Sequence, residues 1–188
     1  MNEHSAPRRP ATYQDVLDAP PNMVAELIGG ALHLHPRPGP KHARAGSSLG
    51  VEIGGPFDRG RGGPGGWIIL DEPELHIADD VLVPDLAGWR RERMPKLPDA
   101  AWFDTVPDWA CEILSPGTRR LDLTEKRDRY AAAGVRHLWL VDPDARTLEA
   151  FEAREGGWLL IAALKDDEEV RVPPCDAVPF ALSALWPD

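Results

Sequence analysis

Short apolar runs separated by turn-forming residues dominate the chain, and their length predicts a fold rich in β-strands. Gly29 and Gly30 stand between the first two runs, the arrangement expected of a hairpin turn. Strands are predicted at 24–28, 31–35, 67–70, 74–77, 82–89, 109–114 and the segment HLWLVDP, followed by a terminal meander of LEAFEA, WLLIAAL and EVRVP.

Helical spacing is confined to a few segments. Thr12 is a good N-cap for a short first helix. Small and apolar positions recur four apart from about 41 to 53, a helix that the next two glycines would end. Asp122 and Glu125 have capping-box spacing for a helix over about 123–133, and another short helix is predicted near 181–185. Together the elements predict an α/β (α+β) fold in which a mixed central β-sheet is flanked by helices.

The length of 188 residues fits one folded domain, and no internal repeat divides it. The polar stretch 1–11 is expected to be a flexible leader, and 12–188 a single domain. The chain has two cysteines, no charged and apolar leader, and no apolar run near the length that spans a membrane. A cytoplasmic location without membrane contact is the expectation.

A net charge of −10 opposes generic binding to nucleic acid, because lysine and arginine supply most of the affinity for phosphate backbones. Several acids cluster near 166–169, where they could face away from a substrate. The charge therefore weakens a nucleic-acid hypothesis without removing it.

Two carboxylates at the ends of predicted strands are the main candidates for chemistry. Asp85 follows Pro84, and Glu112 lies inside the apolar stretch CEIL, where an unpaired carboxylate would be costly. A lone Asp85 is more simply a solvated acid, and Lys126 by itself could be an ordinary surface cation. Two converging acids with a lysine behind them would instead suit Mg²⁺ or Mn²⁺ and a phosphate.

Three segments of the chain together resemble a known family. The segments AELIGGALHLHPRPGPKHARA, VPDLAGW and CEILSPGTRRLDLTEKRDRYAAAGVRHLWLVDPDARTLEAF resemble the Uma-two family of restriction endonucleases, a branch of the PD-(D/E)XK nuclease superfamily. The resemblance extends from about 12 to 180. It implies a restriction-endonuclease-like core, a Mg²⁺-type (or Mn²⁺) site, and hydrolysis of DNA phosphodiester bonds.

The resemblance also assigns residues. Asp85 and Glu112 match the metal-binding acids, Lys126 matches a catalytic lysine, and Glu26 matches an upstream acid that would complete the acidic cluster. The lysine of the wider E-x-K pattern is replaced by Leu114, so its charge would come from Lys126 on the next helix. Two supporting residues, His42 and Tyr130, have simpler interpretations as a polar helix start and a packed side chain.

Five arginines flank the two acidic strands and could contact the nucleic-acid backbone: Arg90, Arg91, Arg93, Arg119 and Arg120. Exposed sheet edges are compatible with a homodimer.

Two alternative functions stay open: a non-catalytic nucleic-acid-binding or assembly protein on the same fold, and a metal-dependent hydrolase of a small phosphate ester.

Overall fold

The structure is a computed structural model that describes residues 9–155 and 157–186. Positions 1–8 of the expected leader lie outside the described residues. Within the described part of that leader, Arg9 forms an ion pair with Asp15 at 2.7 Å. Asp15 also accepts hydrogen bonds from the main-chain N–H and the hydroxyl of Thr12, which closes the first turn of the first helix.

Three β-sheets form the framework. A four-stranded sheet has the order β2-β1-β5-β4, and a six-stranded sheet has the order β10-β9-β8-β7-β6-β3. A small third sheet pairs β11 with β12. The strands are β1 Met23–Ile28, β2 Ala31–Pro36, β3 Trp67–Asp71, β4 Leu75–Ile77, β5 Asp80–Leu82, β6 Leu86–Arg90, β7 Trp109–Ile113, β8 His137–Asp142, β9 Thr147–Arg154, β10 Gly157–Lys165, β11 Glu169–Val170 and β12 Phe180–Ala181.

Helices connect and cover these strands. They are α1 Tyr13–Leu17, α2 Pro40–Ile53, α3 Arg119–Leu121 and α4 Arg127–Ala133, with π-helical turns at Gly54–Asp58 and Asp122–Lys126 and a 3₁₀ turn at Leu182–Leu185. The helical segment from α3 to α4 joins β7 to β8, which are paired in parallel. Parallel neighbours require such a crossover, so this helix is held against the sheet beside β7.

The central strands of the six-stranded sheet are buried on both faces. Along β7, Trp109, Cys111 and Ile113 face a core built with α2 and the C-terminal segment. The alternate residue Ala110 faces a second core, which includes Tyr130 of α4. Glu112 occupies a position of this second face, so the strand alternation points its carboxylate toward the crossover helix.

The prediction of a single strand at 82–89 is wrong. The segment forms two strands in different sheets, β5 in the four-stranded sheet and β6 in the six-stranded sheet. Pro84 lies between them, and proline cannot donate a ladder hydrogen bond. The break carries the chain from one sheet to the other, and Asp85 lies at this crossing.

The helix expected over about 41–53 is confirmed, since α2 ends at Ile53 and its glycines begin a π-helical turn. Two further expectations are corrected. The crossover helix begins at Arg119, and Asp122 is buried within it instead of capping it. EVRVP does not continue the meander, because Glu169 and Val170 pair with β12. In each case the local pattern was real, but a tertiary contact decided where the element started or which strand it joined.

Gly88 supplies a test of the sheet packing. A Cβ atom there would lie 3.2 Å from Trp109 Cε3 and 3.3 Å from Trp67 Cε3. We expect Gly88→Val to lower the free energy of unfolding by about 1–3 kcal/mol, because the buried rings must move to admit the side chain. Urea denaturation measures this, with Gly157→Val as the control in a strand where the added Cβ meets no atom within 4 Å. Equal stability of the two variants would contradict the close packing of Trp67 and Trp109 around Gly88.

Candidate active site

A cavity of about 260 Å³ lies where the four-stranded sheet, the six-stranded sheet and the crossover helix meet. Five carboxyl groups, two histidines, one lysine and one arginine contribute to its lining: Glu26, Glu72, Asp85, Glu112, Asp122, His35, His42, Lys126 and Arg37. The predicted residues Glu26, Asp85, Glu112, Lys126 and His42 are therefore brought together, although they come from four separate parts of the chain.

Glu112 and Glu26 are the most deeply buried of the predicted acids, each with a relative exposure of 2%. The hydroxyl of Tyr130 donates to Glu112 Oε1 at 2.5 Å, and Lys126 Nζ lies 2.8 Å from the same oxygen. Tyr130 is thus both packed and hydrogen-bonded, so its supporting role is to fix the Glu112 carboxylate.

Lys126 is also only 2% exposed. Its ammonium lies 3.0 Å from Glu26 Oε1 and donates to the carbonyl oxygen of Val83 at 3.1 Å, in addition to its contact with Glu112. Burial alone would lower the pKa of Lys126, but Glu112 and Glu26 raise it well above its ordinary value. The two neighbouring carboxyl groups therefore favour the charged form of Lys126 inside the fold.

Asp85 lies beside Glu112 because β6 and β7 are antiparallel with Leu86 opposite Cys111. Its Oδ2 accepts from the main-chain N–H of Ile113 at 2.6 Å. Its Oδ1 lies 3.1 Å from His42 Nε2. Burial lowers the pKa of His42, but the hydrogen bond and charge of Asp85, together with the charges of Asp122 and Glu72, raise the pKa overall. His42 therefore orients Asp85 from the first turn of α2.

Glu26 belongs to β1 of the other sheet. Its Oε1 accepts from the main-chain N–H of Val83 at 2.7 Å, so it fixes the crossing segment between β5 and β6. His35, on the neighbouring strand β2, has its Nε2 atom 3.6 Å from Glu26 Oε2. Burial lowers the pKa of His35 and favours a neutral ring in the cavity wall.

Four ionisable residues of the cavity lining were missed as members of the site: His35, Arg37, Glu72 and Asp122. Asp122 Oδ1 lies 3.7 Å from Lys126 Nζ, one helical turn away, and burial raises the pKa of Asp122 to about 6. Its spacing from Lys126 was visible in the sequence, but the capping-box pattern gave it a different role. The only sequence signal for His35 was its position two residues after His33 on the same predicted strand, and this spacing does not by itself indicate a site.

The five predicted backbone-binding arginines do not gather at the cavity. Asp85 precedes β6, whereas Arg90 is the last residue of that strand. Since a strand rises by ~3.3 Å per residue, the two positions are about 16 Å apart. Arg90 lies over the Trp67 ring, 4.5 Å from its centroid. Arg91 and Arg93 pair with Asp58 and Asp108 at 2.9 and 2.7 Å. Arg119 and Arg120 begin the crossover helix near the cavity, and Arg119 pairs with Asp142.

The donor set fits a hard divalent cation. Five carboxyl groups line the cavity, and three of them, Glu26, Glu112 and Asp122, are buried beside the Lys126 ammonium. Carboxylate oxygens are also the ligands that Mg²⁺ and Mn²⁺ prefer. Asp85 and Glu112 would hold such an ion. In the described ranges 9–155 and 157–186, however, no three His, Cys, Asp or Glu side chains stand ready in a coordination geometry.

The chain is similar to a known protein family and to solved structures. The model of the family "Uma2: Putative restriction endonuclease" matches residues 10–184. The chain belongs to the Uma2 family. A solved structure from Anabaena variabilis ATCC 29413, described as a putative nuclease belonging to DUF820, superposes with a TM-score of 0.77. It shares 24% sequence identity, and the match covers 94% of this chain and 97% of that one.

These matches confirm the resemblance and the mixed fold predicted for this Uma2 protein. At 24% identity the solved structure supports the architecture, not the chemistry. The comparison with curated proteins gave no match. Among the described residues, no helix has the length and apolar character needed to cross a membrane.

The buried ammonium gives a direct prediction. We expect Lys126→Met to lower the free energy of unfolding by about 3–5 kcal/mol at neutral pH, because Glu26 and Glu112 would lose their buried counter-charge. Chemical denaturation measures the loss, and Lys165→Met, at an exposed strand end, is the control. Adding Glu26→Gln to Lys126→Met should recover part of the stability. If Lys126→Met were no less stable than Lys165→Met, the ammonium would not be holding the acids together.

Proposed function

We propose that this Uma2 protein is a divalent-metal-dependent endonuclease that hydrolyses DNA phosphodiester bonds. The observation that carries the proposal is the convergence of Asp85 and Glu112 on one cavity with Glu26 and Lys126. Family membership adds support, since the matched family is described as one of restriction endonucleases. Mg²⁺ is the proposed ion, with Mn²⁺ as a substitute of similar ligand preference.

A bound Mg²⁺ or Mn²⁺ would supply an activated water and stabilise charge on the phosphate oxygens. The residues of the chain hold and orient the ligands for this chemistry. His42 orients Asp85 through its Oδ1, and Tyr130 orients Glu112 through its Oε1. Lys126 compensates the charge of Glu26 and Glu112, and we propose that it assists the attacking water once a metal shares Glu112.

Contacts to the nucleic-acid backbone are proposed for the arginines nearest the cavity. Arg119 and Arg120 start the crossover helix directly after the loop 115–118, whose residues line the cavity. Arg90, Arg91 and Arg93 would have to contact DNA along the far end of β6. A soluble homodimer in the cytoplasm is the proposed form, since paired subunits suit cutting of two strands.

One observation favours a second candidate, a hydrolase of a small phosphate ester. The cavity of about 260 Å³ is small, and three of the five candidate arginines lie at the opposite end of β6. A net charge of −10 also disfavours a long polyanion more than a small ester. This candidate uses the same acids and metal, so the choice of substrate separates it from the nuclease.

Cleavage tests the proposed site. We expect Asp85→Asn and Glu112→Gln to reduce Mg²⁺-dependent cleavage of plasmid DNA at least about 100-fold, because each removes an anionic metal ligand. Calorimetry should also show that both variants bind Mn²⁺ more weakly than the wild type. EDTA should stop cleavage by the wild type.

The control is Glu125→Gln, an exposed acid next to Lys126 on the same helical segment, which should cut and bind Mn²⁺ like the wild type. A folded Glu112→Gln protein that still cuts at the wild-type rate would refute the site. Cleavage of a small diester but not of DNA would favour the second candidate.

A further inference from the structure

The cavity has a second cation that the proposed chemistry leaves unused. Arg37 follows β2 and lines the cavity together with Lys126. Its Nη1 lies 3.2 Å from Oε2 of Glu72, and the two side chains are 57% and 41% exposed. Glu72 lines the same cavity and also an adjoining groove of about 480 Å³ along α2. The pair therefore lies at the mouth of the site, where a substrate would enter.

Lys126 cannot receive a phosphate as the site stands. An ammonium has three N–H donors. Those of Lys126 face Glu112 at 2.8 Å, Glu26 at 3.0 Å and the Val83 carbonyl oxygen at 3.1 Å. A phosphate would have to displace one of these buried partners, so another cation must meet the negative charge of the substrate first.

Arg37 differs from the paired arginines among the five predicted backbone-binding residues in what its release would cost. Arg91, Arg93 and Arg119 each pair with a carboxylate that is 13% exposed or less. Removing the arginine would leave that acid buried and uncompensated. Glu72 is well solvated, and exposed ion pairs contribute little to stability, so Arg37 can exchange Glu72 for a phosphate at low cost.

The backbone of Glu72 holds the resting pair in place. Glu72 has a φ of +43°, in the left-handed region that non-glycine residues seldom occupy. Ala78, Arg146 and Asp166 share this conformation in the connections after β4, β8 and β10, whereas Glu72 follows β3 at the cavity mouth. Its N–H donates to the carbonyl oxygen of Asp85 at 3.0 Å, which ties its position to the candidate metal ligand. Strain of this kind persists where the surrounding structure enforces it and is common at ligand clamps.

We propose that Arg37 is the phosphate-binding residue of this site, and that Glu72 holds its guanidinium at the cavity mouth until a substrate phosphate replaces the carboxylate. The planar guanidinium can donate two parallel hydrogen bonds to a phosphate, which an ammonium cannot do. The identity of the phosphate as a DNA phosphodiester rests on the proposed function, but the anion-binding role of Arg37 does not.

The test compares Arg37→Ala with Arg171→Ala, measuring the binding of a labelled DNA duplex by fluorescence anisotropy with Ca²⁺ present. Arg171 is a matched control, since it is also 57% exposed and also lies 3.2 Å from a surface glutamate, Glu169. We expect Arg37→Ala to raise the Kd about tenfold, as for loss of a hydrogen bond to a charged group. The slope of log K against log salt should fall by about 0.9 for one lost phosphate contact.

Glu72→Gln completes the test, because it frees Arg37 without removing it and should tighten binding. Wild-type affinity and salt slope in Arg37→Ala would overturn the inference, even if DNA is cut normally and the proposed function stands. If the wild type neither binds nor cuts DNA, the proposed function fails, and titration with inorganic phosphate decides the inference. A phosphate-dependent shift of the Arg37 Nε–H resonance supports it, and no shift overturns it.

Discussion

The ion cluster around Lys126 is the interaction on which the arrangement of the site depends. One buried ammonium is shared by carboxylates from β1 and β7 and by the main chain between β5 and β6. Buried charges are tolerated only when they are paired, so the two sheets and the crossover helix must meet where these groups meet. The cluster thus fixes the relative position of the elements that carry Asp85, Glu112 and Glu26.

The same cluster separates two tasks that a lysine at an active site could perform. A lysine that contacts a substrate needs a free donor, whereas a lysine that stabilises acids uses its donors within the protein. In this Uma2 protein the donors of Lys126 are used within the protein to stabilise acids. Tyr130 orients Glu112, and His42 orients Asp85. Contact with the substrate is then left to side chains at the cavity mouth, among them Arg37.

Much of the fold could be predicted from local pattern, and much of the site from the resemblance. The hairpin of β1 and β2, the helix α2 and the buried strands β7 and β8 follow from apolar spacing and turn residues. The break between β5 and β6 was missed, because Val83, Pro84 and Asp85 extend an apolar run that reads as one strand. Only the presence of two separate sheets, a long-range property, divides it. Asp122 was assigned to a helix cap for a similar reason, since burial is not visible in sequence spacing.

The parallel pairing of β7 with β8 also bears on the order in which the site assembles. Glu112 and Tyr130 are 18 residues apart, and both belong to the β7–helix–β8 crossover together with Lys126. Glu26 and Val83 are 57 residues apart. Loop-closure entropy makes the longer contact about 1 kcal/mol more costly to form, before any stabilising contact is made. The crossover can therefore form during folding with Lys126 already beside Glu112, and the four-stranded sheet then docks its glutamate onto an ammonium that is already buried on one side.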